Sequence, residues 1–195
     1  MSLADQIQQM FQASLDTHRQ ALPVLAGPIL QAAELIFSCI IQGQRVLACG
    51  NGGSAGFAQH FAAKMLNRFE EERPGLPAMA LTPDSSTLTA IANDYGFEEV
   101  FAKQVAALGQ PGDLLLVIST SGQSINLLRA IQEAQDKDMG VMLLSGADGG
   151  ELSKQLRDTD LELRVPADNR RLIHESHLLI IHCLCDLIDR QLLGH

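Results

Sequence analysis

The sequence predicts an α/β fold: a parallel sheet of about five strands, covered by helices on both faces, with extra N-terminal helices. Three observations lead there. Short apolar stretches at 45–49, 77–81, 114–118 and 140–144 have the length and composition of buried strands. Segments of helical period separate them, and strand alternating with helix is the pattern of a parallel sheet with crossover helices. Two of the strands, 45–49 and 114–118, run directly into turns of small residues that open helices.

Taken in order, 2 to about 22 reads as an amphipathic helix. Leu3, Ile7, Met10, Phe11 and Leu15 form its stripe, and Ser2 with Asp5 resembles a capping box. Pro23 and Gly27-Pro28 are expected to break it, so 29–42 reads as a second helix with Gly43 as its stop. Two helices before the first strand exceed what one doubly wound sheet needs, which suggests that the first packs on another subunit. After the strand at 45–49, Phe57, Phe61, Met65 and Phe69 recur every four residues on a helix. A polar turn at 70–75 leads to the strand at 77–81. A short helix at 85–93, capped by Ser85 or Ser86, a turn at 93–96 and a helix at 97–108 follow. Beyond the third strand, Leu127, Leu128 and Ile131 face inward on a helix that starts at Ile125. The strand at 140–144 is followed by Gly146, Gly149 and Gly150 and a short helix around Leu152. The stretch 161–165 alternates apolar and charged residues, as an edge strand does. A long helix over 171–193 closes the chain. No repeat, low-complexity tract or linker divides it, so 1–195 reads as one domain.

The two turns carry the functional signal. Gly50-Asn51-Gly52-Gly53-Ser54 places bare backbone N–H groups at a helix N-terminus, where the partial positive charge suits an anion. It is neither the dinucleotide fingerprint nor the lysine-containing P-loop. By itself it reads equally well as an ordinary strand-to-helix turn. Ser119-Thr120-Ser121-Gly122-Gln123-Ser124 repeats the architecture with four hydroxyls, enough for a phosphate cradle without a basic residue. Any single Ser or Thr there is also an ordinary N-cap. Both turns lie at the carboxyl ends of strands, where open α/β sheets bind ligands. Asn51 to Ser54, Asn93-Asp94 and Ser119 to Ser124 are therefore expected to converge.

Composition bounds the rest. A net charge of −9 without a basic run argues against direct binding to nucleic acid or to an anionic membrane. Hydrophobic content of 46% is ample for a core. Cys39, Cys49, Cys183 and Cys185 lack zinc or redox spacing and read as buried free thiols, which suits a reducing cytoplasm. The start of the chain has no signal-peptide pattern, and the apolar run near Leu178 is too short to span a bilayer.

CGNGGSA, AQHFA, NRFEEERP, LTAIANDYGF, ALGQPGDLLLVISTSGQS, DGGEL and HCLCDLIDRQL together resemble the SIS (sugar isomerase) domain family, in its branch of phosphoheptose isomerases and DnaA initiator-associating proteins. The resemblance covers nearly the whole chain. It implies a homotetramer of flavodoxin-like domains that binds sedoheptulose 7-phosphate or a related phosphosugar. It implies substrate contacts from Asn51, Gly52, Gly53, Asn93, Asp94, Ser119, Thr120, Ser121 and Ser124. For isomerase chemistry the family uses a Glu one turn after the His of AQHF, a His on the last helix and a Gln before that His. Some members bind zinc through these residues. His60 and His182 match here, but Lys64 occupies the Glu position and His174 the Gln position.

A lysine is a cation at neutral pH, so it is a poor base and repels a metal. Glu175 is a candidate substitute base. His60, His174 and His182 form a candidate zinc set; the blander account is polar residues left in an inherited cleft. His18 and His195 read as surface residues. The departures favour a phosphosugar-binding domain that has lost its base and binds the replication initiator DnaA. Leu192 and Leu193 would then be contact residues, their plainer role being to close the last helix on the core. The alternatives are an active sedoheptulose 7-phosphate isomerase serving lipopolysaccharide synthesis and a sugar-phosphate sensor with another partner.

Overall fold

The computed structural model describes residues 2–194, so His195 lies outside the described residues. Five strands, β1 (Val46–Gly50), β2 (Ala78–Ala80), β3 (Leu114–Ile118), β4 (Gly140–Gly146) and β5 (Leu161–Val165), form one sheet in the order β2-β1-β3-β4-β5. Every neighbouring pair is parallel. This is the flavodoxin-like order, which reverses direction between β1 and β3. Alternate side chains feed two cores. Val46, Ala48, Leu116, Ile118, Met142, Leu144, Leu163 and Val165 face one. Leu47, Cys49, Leu115, Val117, Val141 and Leu143 face the other. On β5, Leu163 and Val165 pack inward, whereas Glu162 and Arg164 pair with each other, as the edge-strand reading expects.

The first core is covered by α1 (Leu3–Ile41), α2 (Gly53–Leu66) and α7 (Arg170–Leu193). The second is covered by α4 (Ala102–Leu108), α5 (Ile125–Asp136) and the single turn α6 (Gly150–Ser153), with α3 (Ser85–Tyr95) at its margin. Helix α1 corrects the expected break. It runs unbroken through Pro23 and Pro28. A proline inside an isolated helix costs about 3 kcal/mol. Here Ala21, Leu25, Ala32, Ala33 and Ile36 bury one face in the core, and tertiary packing overrides the local penalty. Ser2 and Asp5 do form the capping box. Among the described helices, α1 is the one long and apolar enough, by length and composition, to cross a membrane, and its inner face is part of the core.

Three smaller corrections concern caps and boundaries. Helix α3 is capped by Asp84, whose carboxylate accepts from the Thr87 N–H, and not by Ser85 or Ser86. It also continues through Asn93-Asp94-Tyr95, where a turn was expected. The helix expected at 97–108 is split into a 3₁₀ turn (Phe97–Glu99) and α4. The polar turn after α2 conceals a buried residue. Arg73 caps the carboxyl end of α2 through the carbonyls of Lys64, Met65 and Asn67 and pairs with Asp189 on α7. That contact clamps α2 against α7.

Candidate phosphosugar site

The site lies at the switch point between β1 and β3. β1 ends in the turn that opens α2, and β3 ends in the serine turn that opens α5. Gly52 takes a left-handed φ of 54°, which glycine adopts without penalty. Gly53 packs so closely on His174 that a Cβ there would stand 2.9 Å from the imidazole. Asn51, Ser54, Ile118, Ser119, Thr120, Ser121, Ser124, Arg170 and His174 line a cleft of about 230 Å³. Ser119 is buried, and its Oγ accepts from the Gly122 N–H at 3.1 Å, so it shapes the turn. Ser121 Oγ accepts from the Gln123 N–H at 3.4 Å. Ser124 is the N-cap residue of α5 yet makes no side-chain cap bond. Its side chain lines the cleft at the N-terminal end of α5, an arrangement that suits a phosphate.

Sequence reasoning expected a cradle without a basic residue, and the structure adds one. Arg170 stands at the first position of α7 and lines the cleft. Nothing local distinguishes it from its neighbour Arg171 at the start of the same helix. His174 lies one turn further along α7, its Nε2 3.4 Å from Ser54 Oγ and its ring edge-on to Phe57. Burial holds its pKa below the usual imidazole range.

The second half of the site is a histidine pair. His60 on α2 and His182 on α7 bring their Nε2 atoms to 3.0 Å. One ring must donate and the other accept. The donor ring then carries its proton on Nε2 and presents a bare, basic Nδ1. The acceptor ring is protonated on Nδ1 and presents an N–H. A neutral pair thus offers one base and one acid. Burial, followed by the neighbouring His182 and Lys64, lowers the His60 pKa, which keeps that ring neutral at pH 7. Phe69 packs on His182, and the Lys64 Nζ lies 5.8 Å from the Phe69 ring centre.

The geometry separates other expected partners. His174 sits with Ser54 in the cradle, away from the His60–His182 pair. Among the described residues no three His, Cys, Asp or Glu side chains gather where they could hold a metal. With Lys64 beside His60, the residues of one chain do not fit the three-histidine zinc set. Asn93 and Asp94 are exposed at the end of α3, bonded to each other at 2.9 Å and outside the residues lining the cleft. Glu175 accepts from Arg171 at 3.1 Å and lines a separate recess with Met10, Phe11 and Ser14, so it is not placed as a substitute base. His18 is half-buried in an apolar groove between α1 and α7 and not on the open surface. Leu193 is 37% exposed, whereas Leu192 packs partly on the core. The four cysteines are free thiols; Cys39, Cys49 and Cys185 are buried as expected, whereas Cys183 is only half-buried, beside the apolar groove between α1 and α7.

Comparison with known proteins agrees with this architecture. The SIS domain description matches residues 9–146. The chain is 54% identical over 194 residues to the phosphoheptose isomerase of Chromohalobacter salexigens, covering 100% of this chain and 98% of that protein. It is 54% identical over 193 residues to the phosphoheptose isomerase of Coxiella burnetii, covering 99% and 97%. Among solved structures, a phosphoheptose isomerase from Francisella tularensis superposes with a TM-score of 0.95 at 51% identity, covering 97% of this chain and 100% of that one. The enzyme from Neisseria gonorrhoeae gives 0.91 at 48% identity, covering 96% and 99%. The chain belongs to the SIS domain family, within its phosphoheptose isomerase subfamily.

Proposed function

We propose that the protein is an aldose–ketose isomerase acting on a seven-carbon sugar phosphate such as sedoheptulose 7-phosphate. The observation that carries this reading is the His60–His182 pair, two helical turns along α2 from the start of the helix, where Ser54 lines the cleft. Seven residues separate Gly53 from His60 along α2, about 10 Å at the helical rise. An extended seven-carbon chain with its phosphate spans about the same length at ordinary bond lengths. With the phosphate held by Ser121, Ser124, Arg170 and the start of α5, C1 and C2 reach the histidines.

The chemistry then needs no carboxylate. The basic Nδ1 of the pair removes the proton from C1 of the ketose, and the carbonyl oxygen at C2 gains a proton from the N–H of the partner ring. The resulting enediol returns a proton to C2 as the oxygen at C1 gives one up. Lys64 stabilises the negative charge that develops on the enediolate oxygens. The names and similarity of the relatives support this reading. The stripe on α1 supports a homotetramer, since Leu3, Ile7, Met10, Phe11 and Leu15 are all exposed in the single chain. The four free thiols support action in a reducing compartment such as the cytoplasm.

A second reading is favoured by one observation, the Lys64 ammonium in place of the family's Glu. On that reading the protein binds phosphosugar without turning it over and contacts DnaA through Leu193 and Leu192. Turnover assays of the wild type and Lys64→Glu distinguish the two. The isomerase reading expects activity in the wild type and a loss of about 10²-fold or more in His60→Ala or His182→Ala. The binding reading expects an inactive wild type that gains turnover in Lys64→Glu.

A further inference from the structure

We infer that Asn126 is a positioning residue for the phosphosugar cleft, acting through the carboxamide of Asn51; the inference rests on the reading of that cleft as a sugar-phosphate site. Asn51 follows β1, and Asn126 lies in the first turn of α5. Their side chains form a reciprocal amide pair. Asn126 Nδ2 donates to Asn51 Oδ1 at 2.9 Å, and Asn51 Nδ2 donates to Asn126 Oδ1 at 2.9 Å. Asn126 is 4% exposed, whereas Asn51 is half-buried and lines the cleft.

A carboxamide has two N–H donors and two acceptor lone pairs on its oxygen. Its terminal torsion is soft and nearly two-fold, so an unpaired Asn presents either end to a ligand. The reciprocal pair consumes one N–H and one lone pair of Asn51. It thereby fixes the direction of the N–H and lone pair that remain for the sugar. The pair also spans the switch point. It ties the turn after β1, which opens α2, to the start of α5, and so sets the spacing between the two helix N-termini that flank the phosphate. Beyond the pair lies a second recess of about 600 Å³, lined by Asn51, Ser124, Asn126 and Arg129 among others. The two carboxamides therefore stand between the phosphate cradle and this recess, where a misdirected amide alters the path of a sugar chain.

A double-mutant cycle tests the inference, with calorimetric binding of sedoheptulose 7-phosphate to the wild type, Asn51→Ala, Asn126→Ala and the double variant. Thermal melting checks that each is folded. Asn126→Ala should weaken binding about tenfold, because the Asn51 carboxamide loses the two bonds that hold it pre-oriented for the sugar. Because Asn126 acts through Asn51, the double variant should bind within about twofold of Asn51→Ala. A purely structural role would not produce this coupling. Should Asn126→Ala not fold, the apolar isostere Asn126→Leu takes its place in the cycle. Multiplying losses in the double variant, or unchanged affinity in Asn126→Ala, overturns the positioning role while leaving the site intact. A wild type that does not bind the sugar phosphate overturns the reading of the cleft and the inference with it.

Discussion

His177 links pH to stability in a way that the structure quantifies. It sits on α7, 0% exposed, and its Nε2 donates to the Ser145 carbonyl at 2.9 Å. Its Nδ1 is buried without a partner. Burial is the main reason that its pKa falls from 6.5 to about 4; the bond to Ser145 opposes the shift and His174 adds to it. In the unfolded chain the imidazole gains its proton near pH 6.5, before the folded protein can. Its stabilising contribution is thus complete above pH 6.5 and is lost as the pH falls through 4. The cost is about 2 kcal/mol at pH 5 and about 3 kcal/mol at pH 4. His177→Gln keeps a donor for Ser145 and removes the titration. Urea denaturation of both proteins between pH 7 and pH 4, at one fixed protein concentration, isolates the effect. The variant should be the less stable at pH 7, and the gap should narrow by about 3 kcal/mol on acidification. Parallel stability curves would refute the assignment of a neutral, buried imidazole.

Other outcomes follow from the same geometry. Replacing Ser121, Ser124 and Arg170 together by Ala should weaken sugar-phosphate binding tenfold or more, since charge-assisted hydrogen bonds contribute about 1.5–3 kcal/mol each; calorimetry reads this directly. Phe11, 70% exposed on the α1 stripe, should be covered in the proposed homotetramer, so Phe11→Asp should reduce the mass found by light scattering at micromolar concentration. Asp189→Asn leaves the buried Arg73 guanidinium unpaired and should cost about 3–5 kcal/mol in chemical denaturation.

The strands were legible because each is a short apolar run ended by glycine or a polar turn, and the β5 alternation marked an edge. The meeting of the Asn51–Ser54 and Ser119–Ser124 turns in one cleft was legible for the same reason: both are small-residue turns at the carboxyl ends of adjacent strands. What stayed hidden depends on contacts distant in sequence. The continuity of α1 through Pro23 and Pro28 comes from packing on β5 and α7, which local propensity does not encode. Arg73 lies in a run of charges, and only its capping of α2 and its pairing with Asp189 distinguish it from its exposed neighbours. Asn126 is one polar residue on a helix, and its pairing with Asn51, 75 positions earlier, leaves no local mark in the sequence. His174 and His182 share a helix, and the chain alone did not reveal that one faces Ser54 and the other His60.

The most direct test of the account is the turnover of sedoheptulose 7-phosphate by the purified wild-type protein as a function of pH. The account expects an ordinary enzymatic rate, within about 1–10³ s⁻¹, at neutral pH. Because the His60 pKa lies below the usual imidazole value, activity should persist at pH 6.5 and fall only at more acid pH, as the basic nitrogen of the pair is protonated. Tight binding of the sugar phosphate with no turnover at any pH would contradict it, and would assign the cleft to binding alone.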